Sequence, residues 1–353
     1  MSTQKIAIVG GGLAGLYAAF RLHQAGIAFD LFEARSRLGG RILSTASGSF
    51  DLGPTWFWPD FQPRIQALLA GLDIATFEQY ETGETLVERW PIGVMRRVGY
   101  RSGNLAMRIE GGSARLTDAL AALLPPGQLH LDSELTAARL DGERVQLALL
   151  QPRRHTLEAN YSQLWLAVPP RVLSRIVFNP DLRESERQRL AAVPTWMAAH
   201  AKYVARYARP FWRDQGLAGN AFSSIGPLGE IHDACNTEGA ALFGFFAIGA
   251  MHRRTLADAE LKARCRAQLT HLFGEQATTP IEDFIQDWAA EPFTATEADQ
   301  APPGWHGMHD LGNVFESVWK DRIRLIGSEA GGDQAGYMEG AILAVEKVLK
   351  RLA

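Results

Sequence analysis

The sequence predicts an α/β protein in which a Rossmann-like nucleotide-binding domain is interleaved with an α+β domain of mixed sheet and helices. Three observations predict this class. The chain opens with a strand, a glycine loop, a helix and a second strand over residues 5–33. The same alternation returns in residues 129–168 and from residue 322 onwards, whereas the middle of the chain lacks it. With 353 residues the chain is long enough for two domains.

The opening unit contains the pattern G-x-G-x-x-G. Lys5–Val9 is an apolar run of strand length, and Gly10, Gly12 and Gly15 follow it at the start of a helical pattern. Gly10 permits the tight turn, Gly12 leaves room for a pyrophosphate, and Gly15 allows the helix to pack closely on the strand. The pattern therefore predicts that a dinucleotide binds at the N-terminus of this helix.

Glu33 ends the second strand, 18 residues after Gly15, where a carboxylate can accept hydrogen bonds from a ribose diol. The unit alone does not distinguish NAD(P) from FAD. The run Arg37–Arg41 adds two glycines and a guanidinium near the pyrophosphate, which a nicotinamide domain does not generally need, so it favours FAD. Arg35 and Arg37 could instead bind the 2′-phosphate of NADP, but Glu33 would repel that phosphate.

Composition excludes several classes of protein. The chain is 46% hydrophobic and 21% charged, as globular proteins are, and its net charge of −3 gives no signal for nucleic acid or an anionic membrane. Two cysteines, Cys235 and Cys265, cannot form a disulfide framework or a zinc site. The first strand begins at Lys5, and no run approaches ~20 apolar residues. We expect a soluble cytoplasmic protein without a metal, a signal peptide or a membrane span.

The remaining elements follow from periodicity. We predict helices over 62–72, 114–124, 182–193, 256–273 and 337–352, and strands over 129–135, 144–149, 161–168, 199–207, 282–288 and 322–327. Residues 214–255 alternate as further strands. Trp56, Phe57 and Trp58 form an aromatic loop that either anchors on a core or lines an apolar pocket. We assign residues 1–55, 108–168 and 318–353 to the nucleotide-binding domain, and 56–107 and 169–317 to a substrate-binding domain.

Several motifs together resemble one family, the flavin-containing amine oxidases related to monoamine oxidase. Besides the opening unit they are Arg37–Arg41, Asp51-x-Gly53, Ala167–Pro170, Lys202 with Pro210–Arg213, Trp288 with Glu291-Pro292, Gly327-x-Glu329 and Gly336–Gly340. They span nearly the whole chain in the order of the family. The resemblance implies bound FAD and oxidation of an amine C–N bond by hydride transfer to flavin N5. Oxygen or another acceptor would later reoxidise the flavin.

The resemblance also implies roles for individual residues. Lys202 is similar to a lysine that holds a water against N5, Tyr337 to one wall of an aromatic cage, and Trp288 is the third catalytic candidate. The implied cofactor-binding residues are Gly10, Gly12, Leu13, Ala14, Gly15, Glu33, Ala34, Arg35, Gly39, Gly40, Arg41, Pro54, Thr55, Leu135, Trp288, Gly327, Glu329, Gly336, Tyr337, Met338 and Ala341. The N-terminus of the last helix would lie at the N1/O2 edge of the flavin and stabilise its anionic reduced form.

The second cage wall departs from the family pattern. Alignment from Trp288 places Ala298 there, or Glu297 after a slip of one residue, so the cage is open on one side unless an aromatic from Trp56–Trp58 completes it. These residues are the predicted substrate pocket. A half-open cage favours bulky or secondary amines, and an inward Glu297 would pair with a second cationic group, as in a diamine. No cysteine lies nearby, which predicts a non-covalent flavin.

Two other functions remain open from the sequence. The same fold catalyses dehydrogenation of carbon–carbon bonds, as in protoporphyrinogen oxidase and carotenoid desaturases, and the incomplete cage favours that reading. A flavoprotein that binds FAD without catalysis is the second. Lys202 and Tyr337 favour amine oxidation over both. We expect a monomer or homodimer.

Overall fold

The computed structural model describes residues 5–98, 103–151, 154–301, 309, 311 and 314–352. The helices are α1 Leu13–Gln24, α2 Pro63–Gly71, α3 Ala114–Ala122, α4 Glu184–Ala191, α5 Phe211–Asp214, α6 Ala250–Arg253, α7 Asp258–Phe273 and α8 Met338–Leu349. The strands are β1 Lys5–Val9, β2 Ala28–Phe32, β3 Thr76–Glu78, β4 Glu84–Arg89, β5 Gly93–Val98, β6 Met107–Ile109, β7 Leu129–His130, β8 Glu134–Asp141, β9 Arg144–Gln151, β10 Arg154–Tyr161, β11 Gln163–Leu166, β12 Val177–Asn179, β13 Ala201–Tyr207, β14 Leu217–Ser223, β15 Leu228–Asp233, β16 Ala240–Phe246, β17 Glu282–Asp287 and β18 Ile323–Leu325. Short 3₁₀ helices span Pro126–Gln128, Pro170–Arg175, Glu275–Ala277, Trp288–Ala290, Glu297–Asp299, Ser328–Ala330 and Gly332–Gln334.

A five-stranded sheet of order β18-β11-β1-β2-β7 forms the nucleotide-binding part, and each of its strand pairs is parallel. β1 lies at its centre. Ile6 and Ile8 pack into a core with α1 and α8, whereas Ala7 and Val9 pack into a second core on the opposite face. A parallel sheet covered on both faces is the Rossmann-like arrangement that the sequence predicts.

The glycine loop after β1 allows helix and strand to approach. Gly10 has a φ of +106°, which favours glycine, and a Cβ added at Gly15 would lie only 1.9 Å from the carbonyl oxygen of Gly10. Helix α1 therefore begins directly above the end of β1. The N-terminus of α1 therefore lies at the carboxyl edge of the parallel sheet.

The second large sheet has seven strands in the order β17-β13-β16-β15-β14-β4-β5. Alternate residues of β13 face opposite sides, as a strand requires. Tyr203 and Ala205 pack with Leu261 and Cys265 of α7, which covers one face. Val204 packs on the other face, toward the nucleotide-binding part. Lys202 belongs to this second face, because it lies two residues before Val204.

Three differences from the predicted organisation concern the nucleotide-binding part. The strand predicted over 129–135 is divided into β7 and β8 around Asp132, whose φ is +49°. β12 pairs in parallel with β8 in the four-stranded sheet β10-β9-β8-β12. α2 packs with α8 through Ile65 and Leu69. β12 and α2 thus contact the nucleotide-binding part, although we predicted both in the substrate-binding domain. Sequence periodicity cannot reveal such long-range pairing.

Glu339 of α8 supplies the N-terminal cap of α2. Its side chain is fully buried, and it accepts hydrogen bonds from the backbone N–H of Ile65 at 2.8 Å and of Arg64 at 3.2 Å. The Arg64 guanidinium also contacts it at 3.2 Å. The first N–H groups of a helix have no partner within the helix, so this carboxylate satisfies donors that would otherwise be buried unpaired.

We expect Glu339→Ala to lower the free energy of unfolding by about 1–3 kcal/mol, because it leaves buried N–H donors unpaired. The control is Glu346→Ala on the same helix, which removes a partly exposed ion pair with the same Arg64 and should cost less than about 1 kcal/mol. Urea unfolding of both variants measures the difference. Equal losses would show that Glu339 does not act as the cap of α2.

Candidate active site

One cavity of about 410 Å³ lies between the parallel sheet and the seven-stranded sheet. Loops after β1, β2, β11 and β18 form one end of it, at the carboxyl edge of the parallel strands where α/β folds bind ligands. The predicted residues that line it are Gly10, Gly12, Leu13, Ala14, Glu33, Ala34, Arg35, Gly39, Gly40, Arg41, Pro54, Trp56, Trp58, Leu135, Lys202, Trp288, Gly327, Gly336, Tyr337, Met338 and Ala341.

Glu33 is held rigidly at this end of the cavity. Its buried carboxylate accepts hydrogen bonds from the backbone N–H of Gly11 at 2.7 Å and of Arg35 at 2.9 Å. The guanidinium of Arg35 lies 3.6 Å from it and also binds Glu291 at 3.0 Å. The Arg35 charge is therefore already paired with two carboxylates, which disfavours the NADP alternative, since a 2′-phosphate would have to compete with them.

Arg41 lines the cavity and Glu329 holds it in place. The Arg41 guanidinium contacts the Glu329 carboxylate at 2.8 Å and donates to Ser328 Oγ at 2.9 Å. Glu329 itself lies behind the lining and is 3% exposed. It is thus a positioning residue for Arg41. Gly15 likewise lies below the glycine loop, and neither residue contacts the cavity directly.

Two helices begin at the cavity without a side-chain cap. Gly12, which has no side chain, precedes α1, and Tyr337 precedes α8 without its side chain capping that helix. Leu13 and Ala14 in the first turn of α1, and Met338 in that of α8, line the cavity. Both positive helix ends therefore face the same space, which suits an anionic ligand at each.

Lys202 lies on β13 with its ammonium fully inside the protein. Its Nζ donates to the carbonyl oxygens of Asp51 at 3.1 Å and Gly53 at 2.7 Å and to Thr55 Oγ1 at 2.6 Å. Phe243 lies beneath the nitrogen, 4.4 Å from Nζ to the ring centroid. Thr55 is therefore a Lys202 partner and not part of the lining.

An ammonium has three protons, and these three oxygens accept all of them. A water held by Lys202, as the resemblance implies, would have to replace one partner. Burial lowers the pKa of Lys202 to about 7, the Asp51 carboxylate opposes this shift, and Arg108 adds to it. A neutral amine has a free lone pair, so deprotonation releases one of the three contacts.

The side chains of the aromatic loop, residues 56–58, alternate in direction as they do in a strand. Phe57 pairs with Met107 and is 1% exposed in the core, so the prediction that it lines the substrate pocket is wrong. Trp58 lies edge-on to Tyr337 with 6.2 Å between ring centroids. Trp56 packs beside Phe245 at 6.5 Å. Side chains of an extended chain alternate in direction, which is why the two tryptophans reach the cavity and the phenylalanine does not.

Glu297 and Ala298 do not line the cavity, so the prediction that one of them forms the second cage wall is wrong. Both are exposed in the short 3₁₀ helix 297–299. Its capping residue Asp299 is buried and binds Arg171 at 2.7 Å, and Arg171 also binds the carbonyl oxygen of Ala298. This ion pair holds the helix away from the cavity. Counting residues from Trp288 could not reveal it.

Several lining residues were not predicted. They are Val9, Ile42, Leu52, Gly53, Gln62, Ser133, Ala167, Val168, Pro169, Val172, Trp196, Met197, Ala198, His200, Ala201, Glu230, Phe245, Phe293, Thr294 and Ser328. Glu230 is a second carboxylate in the lining, besides Glu33. Burial lowers the pKa of His200, and nearby Arg253 adds to this effect. The alternation of apolar and polar residues along 228–233 predicts a strand. It does not predict which face of the sheet lines a cavity.

Residues 92–347 match the family described as "Flavin containing amine oxidoreductase", and residues 8–72 match that described as "NAD(P)-binding Rossmann-like domain". The chain belongs to the flavin-containing amine oxidoreductase family. The predictions of this family and of FAD as its cofactor are confirmed. No group of described residues could hold a metal ion, and none of the described helices is long and apolar enough to cross a membrane.

Two relatives and one solved structure show how similar the chain is to known proteins. The chain is 26% identical to flavin-containing amine oxidase B of Canis lupus familiaris over 92% of this chain, and it spans only 64% of that protein. It is 24% identical to putrescine oxidase of Kocuria rosea, over 98% of this chain and 95% of that protein. The structure of cyclohexylamine oxidase from Brevibacterium oxydans superposes with a TM-score of 0.83 at 19% identity, covering 99% of this chain and 98% of that one. This structural match confirms the fold class.

The pKa of Lys202 predicts how stability depends on pH. The ordinary pKa of lysine, 10.5, applies to Lys202 in the unfolded chain, whereas its pKa in the folded protein is about 7. The unfolded state therefore binds more protons between these values, and the Lys202 contribution to stability rises with pH across that window. We expect the Tm of wild type minus that of Lys202→Met to increase from pH 7 to 10. A pH-independent difference would contradict this pKa.

Proposed function

We propose that the protein is an FAD-dependent amine oxidase or dehydrogenase that oxidises the C–N bond of a small-molecule amine and is reoxidised by oxygen or another acceptor. One observation carries the proposal: a single cavity joins the buried carboxylate Glu33 to Lys202 and Tyr337. A dinucleotide site and a polar, aromatic site thus share one space. Membership of the amine oxidoreductase family supports the choice of an amine.

The residues of the cavity fit FAD. Glu33 would bind the ribose diol, since its carboxylate lines the cavity with each oxygen held by one backbone N–H. Gly12 offers no side chain, so the first N–H groups of α1 would reach the pyrophosphate, with Arg41 beside it. The N-terminus of α8 would face the flavin ring. When bound, FAD supplies a two-electron acceptor for a hydride from the carbon beside the amine nitrogen.

The protein side chains orient the amine and its environment. Tyr337 and Trp58 stand edge to face at one side of the cavity, so two rings are available beside the nitrogen without Ala298 or Glu297. We propose Trp58 as the second wall in place of those two residues. Lys202 and Trp288 both bind the segment 51–55. Lys202 donates to oxygens of Asp51, Gly53 and Thr55, and the indole N–H of Trp288 donates to the carbonyl oxygen of Leu52 at 3.1 Å. Both are positioned by the same backbone.

FAD would be bound without a covalent link. Cys265 is buried on α7 in the core beneath the seven-stranded sheet, and Cys235 donates toward the carbonyl oxygen of Ala241; neither lines the cavity. Burial also raises the pKa of Cys235 to about 12, which suppresses its thiolate. The non-covalent cofactor can then be removed and added back, which the affinity experiment below requires.

A carbon–carbon dehydrogenase is the second candidate, favoured by the tryptophans of the lining. Glu230 argues against it, since a bulky apolar substrate would desolvate its partly exposed carboxylate without pairing the charge. A flavoprotein without catalysis would not need an open cavity beyond the flavin. Amine oxidation therefore remains the function that the geometry supports best.

We expect Glu33→Ala to weaken FAD binding roughly tenfold or more, because hydrogen bonds to a charged acceptor are worth about 1.5–3 kcal/mol. Titration of the apoprotein with FAD measures the affinity. Glu297→Ala is the matched control, because Glu297 is exposed outside the cavity. If Glu33→Ala and the control bound FAD equally well, Glu33 would not contact the ribose.

The reaction itself is tested by anaerobic mixing of the FAD-loaded protein with alkylamines. We expect the flavin absorbance to bleach, and readmission of oxygen or a dye to restore it. Lys202→Met should keep FAD bound, because Lys202 lies away from the end of the cavity that Glu33 marks. The variant should slow the return of the flavin absorbance. Bleaching by an apolar polyene or porphyrinogen and not by any amine would overturn the proposal in favour of the second candidate. No bleaching by either class would overturn both.

A further inference from the structure

Lys202 and Glu230 lie in one row across the seven-stranded sheet. In the antiparallel pairing of β13 with β16, Lys202 is opposite Phe245, and in that of β16 with β15, Phe245 is opposite Glu230. Residues directly opposite share a face of the sheet. All three line the cavity. Two strand spacings of about 4.8 Å separate Lys202 from Glu230, hence about 10 Å between their Cα atoms.

Glu230 is accessible from the cavity and held from behind. Its side chain is 45% exposed, while His232 on the same strand is 9% exposed and contacts Glu230 Oε1 through Nε2 at 2.8 Å. The other ring nitrogen of His232 binds Asn220 at 3.1 Å. The hydrogen bond with His232 lowers the pKa of Glu230 against the effect of burial. Glu230 is therefore an ionised carboxylate with one oxygen fixed and its second oxygen available.

The wall between the two charged positions is apolar. Phe245 separates them within the row, and Trp56 lies against both Phe245 and His232, with ring centroids 6.5 Å and 4.9 Å apart. Trp56 is itself fixed, since its indole N–H donates to Gln79 at 2.7 Å. A ligand along this row would meet the Lys202 end first, then an aromatic surface, then an anion.

We propose that Glu230 binds a second cationic group of the substrate, so that the preferred substrates are alkyl chains with an amino group at each end. This inference rests on the proposed amine oxidation and adds the substrate class. The terminal ammonium would pair with Glu230, and the methylene chain would lie on Phe245 and Trp56. Glu230 thus takes the role that the sequence suggested for Glu297.

The charge of Glu230 also excludes a competing class of amine. An amino acid would bring its carboxylate into the same space, and like charges disfavour such a ligand. Lys202, the cation at the other end of this row, already donates to three protein oxygens. A plain monoamine would leave the Glu230 carboxylate without a charged partner. Discrimination between diamine and monoamine is therefore expected to depend on this side chain.

The test compares 1,4-diaminobutane with n-butylamine, and 1,5-diaminopentane with n-pentylamine, by kcat/KM. We expect wild type to favour the diamine of at least one pair, and Glu230→Gln to reduce that preference roughly 10–100-fold. Gln keeps the shape and the contact with His232, and an unchanged flavin spectrum and Tm would show that the variant folds. Glu297→Gln is the control and should keep the wild-type preference.

The outcomes separate this inference from the proposed function. If the monoamines bleach the flavin anaerobically but Glu230→Gln keeps the diamine preference, or wild type has none, the Glu230 site is overturned and amine oxidation stands. If Glu297→Gln rather than Glu230→Gln abolishes the preference, the cation binds at residue 297 instead. If no amine bleaches the flavin, amine oxidation itself fails, and the diamine inference fails with it.

Discussion

The buried ammonium of Lys202 ties the two halves of the protein together. It reaches from β13 to three oxygens of the segment Asp51–Thr55, which leads out of the nucleotide-binding part. Burying a charge is costly unless every donor is satisfied, and here each of its three protons has an acceptor. The same segment accepts the Trp288 indole N–H at Leu52. Without these acceptor oxygens, the charged form of Lys202 would be too unfavourable at this buried position.

This contact and a second one join the parts of the chain on either side of the cavity. At the nucleotide end, Arg35 pairs with Glu33 of the Rossmann-like unit and with Glu291 after β17, and it donates to Thr294 at 3.0 Å. Arg35 and Lys202 thus fix the space at two ends. Distant parts of the chain supply the polar groups, so the site forms only when the chain is completely folded.

The local features of the sequence correctly identified the nucleotide-binding elements. Gly10 lies in the loop after β1, Gly15 in the first turn of α1 and Glu33 directly after β2, so short-range geometry fixes their relation. Their roles follow from spacing along the chain, because few residues separate strand, loop and helix. The Lys202 strand and the final helix were also located correctly. The substrate side was predicted less well: the count from Trp288 led to Glu297 and Ala298, where an Arg171–Asp299 ion pair turns the backbone aside.

The sequence by itself determined the Rossmann-like class, the FAD cofactor and the family, because these depend on motifs whose members lie near one another or in a fixed order. Tertiary structure decided which side chains share the cavity. Lys202, Phe245 and Glu230 come together only through the pairing of three strands, and no spacing along the chain encodes that register. Strand pairing is set by the burial of side chains on both faces of the sheet. For that reason Glu230 was invisible in the sequence and evident in the fold.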